Sequence, residues 1–458
     1  MQEVRLAQRS AFISAGLRYG VAAMTAAARS RLRATLSALG NRRFRWLLLG
    51  LLLLPTGLQY LQVTFTSALS LVAQPWEDVW VHVRAAQALS HGGDPYAPLL
   101  KSGRLAVGGN AGYNYPPLLA WLWQPLLALS PRDQVLLEWL LLQVCLALGL
   151  WLTHRTLRSD RQLLALMVAV AIVSYWVRRD FLQGQISLVL LACEAAWLLL
   201  WTRGRDWLGG IPLAIGAALK VTPALLFALA AGRGRWRVVA GGAVAGALLV
   251  LASGPALWVE YVVKVLPFLP GSDGEIENQS PFGTLVRIFR PGALYLRDSI
   301  PMGNGYRAAS LLLLIVLAGT TAVALARRVD TDRGRSLEGA AVIALLPLLM
   351  PVTWGHHLVT ELIPIFVLAN QALVTRRWRP AAAAAACWVL ANPAHLAFWV
   401  WLNGTAWFPV TNLAVESSTV GIVLLWAACL VEFRREVALD PARDLPGPVP
   451  GLLPASPG

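Results

Sequence analysis

WLLLGLLLLPTGLQYLQVTFT, residues 46–66, is the first of a series of apolar runs long enough to cross a bilayer. A helix needs about 20 apolar residues to span the hydrocarbon core, and inside it only a helix can satisfy all of its own backbone hydrogen bonds. Further apolar segments follow at 133–153, 162–177, 186–202, 207–219, 222–232, 237–254, 306–326, 338–351, 357–374, 380–401 and 415–433. With 57% apolar and only 14% charged residues, there is too little polar surface to clothe so many runs in water. The sequence therefore predicts an all-α polytopic membrane protein, a bundle of about 12 transmembrane helices.

Orientation follows from the arginines. They cluster at 155–161, 203–205, 233–237, 327–328, 376–379 and 434–435, which places these connections on the cytoplasmic side and both termini inside. The same clusters account for the net charge of +15 without nucleic acid as a partner. For the alternation to work, YPPLLAWLWQPLLALSP at 115–131 must be a short interfacial helix and not a full span. The pair 207–219 and 222–232 is also short, with Lys220 and Pro223 at its bend, and should leave a cavity open to the outside. Residues 1–44 read as a basic helix on the cytoplasmic face, 45–433 as the membrane domain, and 434–458, rich in Pro and Gly, as a disordered tail. Cys145, Cys193, Cys387 and Cys429 show neither disulfide nor metal spacing.

The polar residues that topology does not explain gather on the outer side. QPWEDVWVHVRAAQALSHGGDPY at 74–96 opens the first large external loop, and the other outer connections carry RRDFLQGQ, LKVTP, GEIENQSPFGTLVRIF and TWGHHLVTELIP. Ionisable groups at the ends of membrane helices are expensive and mark function. Each also has a simpler reading. Asp78 is a favourable first-turn acid for a helix running to about Leu89, on which His82 and Arg84 are interfacial. Lys220 either snorkels or meets a buried anion. His356 and His357 point about 100° apart on a helix, so only one should face a ligand, and Glu361 lies one turn beyond His357 as a simple hydrogen-bonding partner.

DVWVHVRAAQALSHGGDPY, YNYPPLLAWLWQPL, QGQISLVLL, GAALKVTPALL, NQSPFGTLVRI and MPVTWGHHLVTELIP, in this order, resemble glycosyltransferase family 87, over roughly residues 45–433. The resemblance implies a GT-C architecture, with short interfacial helices in the first external loop and an extracytoplasmic active site. It implies that Asp78 is the general base, with Glu77 adjacent. It further implies that Lys220, Gln185, Asn278, Gln279, His356 and His357 bind the phosphate and sugar of the donor; the charge of the leaving phosphate calls in addition for Arg178 or Arg179 beside Lys220. His82 stands where the family carries an aromatic residue, and SGRLAVGGNAGYN has no counterpart in the family pattern.

The implied partners are a polyprenyl-phosphate-linked sugar, mannose by resemblance, a glycolipid or glycan acceptor, and the lipid bilayer of the cell membrane. A leaving phosphate needs charge neutralisation more than an acid, so one carboxylate suffices for a single inverting displacement. No cofactor and no metal is required. The rival reading, a transporter or lipid flippase, would place ionisable residues at the midplane in matching halves of the chain, and the short pair around Lys220 has no counterpart elsewhere.

Overall fold

The computed structural model describes residues 42–75, 77–102, 112–269, 273–275, 277–290, 302–392 and 408–439. Every regular element among them is helical. The chain divides into two compact units, 1–59 and 60–458. In the first, the described part is the beginning of helix α1 (Arg42–Leu71). The stretch 1–41, most of the insertion after Ser102, and 440–458 lie outside the described residues.

The second unit holds everything that positions the site. Its helices are α2 (Asp78–Ser90), α3 (Ala97–Ser102), α4 (Pro117–Trp123), α5 (Pro131–Leu157), α6 (Arg161–Val173), α7 (Tyr175–Gln183), α8 (Ser187–Thr202) and α9 (Asp206–Leu219). Then follow α10 (Leu225–Gly232), α11 (Trp236–Ser253), α12 (Pro255–Glu260), α13 (Pro281–Phe289), α14 (Asn304–Ala324), α15 (Asp332–Leu349), α16 (Leu362–Thr375), α17 (Trp378–Ala391) and α18 (Phe408–Leu439). Local chemistry sets the starts of several. Ser130 caps α5 through Asp133 N, Asp160 caps α6 through Leu163 N, and Thr331 caps α15 through Gly334 N.

Each of the twelve apolar segments falls largely on helix where it is described, but the described residues do not confirm twelve spans. Among the described residues, five helical stretches are long and apolar enough to cross a membrane: Pro131–Leu157, Trp236–Ser253, Asn304–Ala324, Gly355–Thr375 and Glu416–Leu439. A sixth forms if α6 and α7, bent by 52° at Ser174, count as one. Ser187–Thr202, Asp206–Leu219 and Thr222–Gly232 are shorter. Apolar runs reveal helices, whereas length decides spanning, and breaks at Ser174, Lys220 and Arg233 cut the runs short. The 115–131 stretch is a short helix, α4, followed by a 3₁₀ turn over Gln124–Ala128. At the other end α18 stays helical to Leu439, past the start of the expected tail.

Two apolar cores stack along the bundle. The larger joins α5, α8, α15, α16 and α18 around Trp176, Trp197 and Trp201, and the smaller packs α2, α4 and Tyr96 against the ends of α8 and α9. Trp139 and Val189 touch both. The arginine-bearing connections meet at one end of the bundle. Arg203 donates to Arg155 O, Arg233 to Arg327 O, Arg335 to Thr202 O and Arg235 to Trp201 O. Acids neutralise several of them: Arg233 pairs with Glu338, Arg235 with Asp206, and both Arg377 and Arg435 with Glu432. The opposite ends of α5, α8, α9 and α16 carry the polar residues described next.

Candidate active site

Helix α2 begins at Asp78 because Glu77, in extended conformation, ends the preceding turn. Trp80 Nε1 donates to Leu71 O (2.7 Å) and Arg84 to Pro75 O (2.8 Å), so both ends of the turn are held. Val79, Val81 and Val83 are buried. Packing of this helix against the α7–α8 turn depends on Gly184. It has φ +62, and a Cβ there would lie 2.6 Å from Val79 Cβ and 3.0 Å from Glu138 Oε2. Gly184→Ala should therefore add about 1–2 kcal/mol of backbone strain and push α2 away. A lower Tm in detergent is the expected result.

The turn places Gln185 under Asp78. Gln185 Nε2 donates to Asp78 Oδ2 (2.5 Å), while Tyr115 Oη donates to Gln185 Oε1 (3.0 Å). The ionised carboxylate, an acceptor only, thus fixes which end of the amide faces it, and the tyrosine hydroxyl donates to the other end. Asp180 supports the same turn: its main-chain oxygen accepts from Gln185 N, and its carboxylate accepts from Ser187 N and Leu188 N at the start of α8. Burial pushes the Asp78 carboxyl upward, and the Gln185 hydrogen bond with the charges of Lys220, Arg179 and Arg84 opposes it.

Lys220 sits in extended backbone between α9 and the 3₁₀ turn Thr222–Ala224, where Pro223 prevents α9 from continuing. Neither sequence reading of it holds in full. Its Nζ lies 2.5 Å from His357 Nε2 and 5.7 Å from the centre of the Tyr115 ring, and it makes no ion pair among the described residues. Tyr115 therefore joins the two halves of the site, touching Gln185 with its hydroxyl and Lys220 with its face.

The two histidines sit on the 3₁₀ turn Gly355–Glu361 that leads into α16, with rings edge to face at 4.4 Å. His357 turns to Lys220, and His356 Nδ1 bonds Gln183 Oε1 (2.8 Å). Glu361 does not bond His357; it is fully buried and neither of its oxygens has a hydrogen-bond partner. His82, one turn after Asp78, is also fully buried and is packed edge to face on Tyr115. Burial, with Lys220 and Arg84 nearby, pushes its pKa down to about 3. It is a neutral ring in an aromatic cluster with Tyr113 and Trp123, not an interfacial group.

The remaining expected donor ligands divide. Arg179 forks onto both oxygens of Glu277 (2.9 and 2.7 Å), whereas Arg178 has no side-chain hydrogen bond or ion pair among the described residues. Asn278 is corrected from ligand to staple. Its Nδ2 donates to Asp273 O and Pro351 O, and its Oδ1 accepts from Ser280 N and Thr353 N, which exhausts its side-chain capacity. Gln279 is buried beside it, its main chain joined to Thr353 O and Thr419 Oγ1. Sequence reasoning named neither Tyr115 nor Gln183 nor Glu277 as site residues, although all three lie within or beside the motifs. It also passed over Glu138 and Glu194, single acids inside apolar helices, where their cost was the available signal.

A helical membrane bundle that gathers a held carboxylate, a lysine and a histidine pair at one end defines a class, and the comparisons specify it. The model of glycosyltransferase family 87 matches residues 113–351, more than half of the chain, so the chain belongs to glycosyltransferase family 87. Tyr115, Arg178, Arg179, Gln185, Lys220, Asn278 and Gln279 lie within the match; Asp78, His356 and His357 lie beyond it. A polyprenol-phosphate-mannose-dependent alpha-(1-2)-phosphatidylinositol pentamannoside mannosyltransferase of Mycolicibacterium smegmatis is 28% identical over 264 residues. That alignment spans 56% of this chain and 60% of the relative, less than two thirds of its length. A polyprenol-phosphate-mannose-dependent alpha-(1-2)-phosphatidylinositol mannoside mannosyltransferase of Mycobacterium tuberculosis is 29% identical over 313 residues, 60% of this chain and 69% of that one.

Proposed function

We propose that this protein transfers a sugar, mannose in the first instance, from a polyprenyl-phosphate donor to an extracytoplasmic glycolipid or glycan acceptor, with inversion. The observation that carries the reading is the Asp78–Gln185–Tyr115–Lys220–His357 chain, which holds a carboxylate and a cation across one site. Asp78 takes the proton of the acceptor hydroxyl as its oxygen attacks the anomeric carbon from the face opposite the phosphate. The anomeric bond to the phosphate oxygen breaks as the new glycosidic bond forms. Lys220 meets the charge that grows on the departing phosphate, with help from His357 and Arg178. Arg179 steadies the loop through Glu277, and Asn278 holds that loop to Thr353. The prenyl chain stays in the bilayer. Because the arginine-bearing connections lie at the opposite end, the site faces outward.

The test is incorporation of radiolabelled mannose from polyprenyl phosphate mannose into membrane products by membranes containing the protein. Failure to transfer from any prenyl-phosphate-linked hexose, with acceptor lipids supplied, would sink the reading.

A pH dependence follows from Asp78. Only its ionised form accepts a proton, so transfer is present above its folded pKa and lost as pH falls through it. Because burial raises that pKa, the acid limb stands above the ordinary carboxylate range of about 4. Gln185→Leu removes a hydrogen bond that favours the carboxylate, and the limb should move to higher pH. Initial rates across about pH 4 to 8 measure it; an unmoved limb would show that Asp78 does not set it.

A further inference from the structure

Beside the Lys220–His357 contact is a cavity of about 20 Å³ whose polar lining is Ser187, Glu194, Lys220, Thr222, His357 and Thr360. A water needs roughly 10–15 Å³ by this measure and two to four polar partners, so the space suits one water. Two of the lining groups lack partners. Ser187 Oγ and Glu194 Oε2 are buried and bonded to no protein group, and Glu194 is only 2% exposed. An isolated carboxylate in such surroundings must meet a water and a cation or hold a proton. The adjoining pair is able to trade one. His357 Nδ1 accepts from Trp354 N (3.2 Å) and the ring also hydrogen-bonds the main chain of Val352, so either tautomer is supported: Nε2 accepts from Lys220 when the lysine is an ammonium and can donate to it only when the lysine is neutral.

We propose that Glu194 is a proton-exchanging positioning residue of the site: through a water in this cavity it balances the Lys220–His357 pair when the site is empty, and it takes up a proton when a phosphate binds there. The inference rests on the reading of Lys220 and His357 as the phosphate site. In the empty site Glu194 is the anion across the water from Lys220. When the donor phosphate claims that cation, the carboxylate loses its counter-charge and gains one proton from solvent, forming an O–H bond and becoming neutral. The titratable groups that bear on the exchange are Glu361 beyond Thr360, Cys193 on α8 itself, Cys145 on α5, and Asp78 and Asp180, whose charges also act on Lys220, while α15 presents Leu346, Pro347 and Met350 to the cavity. Of these, Glu361, Asp78 and Asp180 are the acids able to replace Glu194 in the exchange.

The experiment is calorimetric binding of polyprenyl phosphate mannose, without acceptor, to the full-length protein in nanodiscs. Buffers of different ionisation enthalpy report the protons taken up. The donor is a phosphodiester and does not itself titrate near neutrality. Wild type is expected to take up about one proton per donor, and its affinity to fall up to about tenfold per unit of rising pH between the proton affinities of Glu194 in the empty and the filled site. Glu194→Gln should bind with no uptake and no pH dependence. Glu194→Asp, which keeps the acid, should retain the uptake with a displaced profile, and it carries the comparison if the glutamine variant does not fold. Equal uptake in wild type and Glu194→Gln, binding by wild type without uptake, or uptake abolished only by Glu361→Gln would each overturn the proposal. Failure of wild type to bind the donor would instead remove the phosphate reading itself, and this inference with it.

Discussion

Asp78→Asn is expected to lower transfer by about a hundredfold to ten-thousandfold, the range typical of a lost general base, while leaving donor binding nearly intact. Asparagine is the same size, and its Oδ1 can still accept from Gln185 Nε2, so the geometry of the α2 start survives. What disappears is the capacity to receive the acceptor's proton, which matters only as the acceptor oxygen attacks. The fall should therefore appear in kcat with little change in the donor KM. Stability gives an independent control. Burial already works against the Asp78 carboxylate, so replacing it with a neutral amide should leave Tm unchanged or raise it. A folded Asp78→Asn protein with wild-type kcat would remove Asp78 from the mechanism and direct attention to Glu77. A fall in Tm together with activity would make the residue structural.

The helices were legible in the sequence, but the spans were not. Leu, Ala and Val runs mark the long helices of the bundle but not short ones such as α12 and α13, and a run gives no account of where a helix bends. Ser174 bends α6–α7 because Tyr175 N turns to Asn392 Oδ1, a contact made across the fold. What was legible of the candidate site is its grouping: Asp78, Gln185, Lys220 and His357, polar residues costly in a membrane, come together in one chain connected through Tyr115. Their partners were not legible, since nothing local tells that Lys220 meets an imidazole or that Tyr115 bridges the two halves. Asn278 shows the opposite error. A buried amide in a polar motif reads as a ligand, and only the four backbone groups around it, two of them more than 70 positions away in sequence, reveal it as a staple. Glu194 was overlooked because it stands alone inside ISLVLLACEAAWLLLWT, although a lone acid there is as strong a signal as the motifs.

Lys220→Met should reduce transfer by about a hundredfold to a thousandfold, the scale seen when a single donor to a developing oxyanion is removed, and unlike Asp78→Asn it should change both kinetic constants. The donor phosphodiester is already an anion when it binds, so loss of the cation weakens the ground-state complex. The phosphate then gains charge as the anomeric bond breaks, so the loss is larger in the transition state. KM rises and kcat falls together. Methionine fills the stem space beside Tyr115 without a charge, which limits the accompanying structural change. Lys220→Arg should not restore the rate. A guanidinium is longer, planar and unable to give up its proton, whereas the space beside His357 Nε2 is occupied at 2.5 Å by a compact ammonium. If Lys220→Met instead keeps wild-type kcat and KM, the phosphate is held elsewhere, and Arg178 becomes the next residue to replace. If only KM rises, Lys220 binds the donor without favouring its departure, and the charge formed in the displacement must be met by His357 or Arg178.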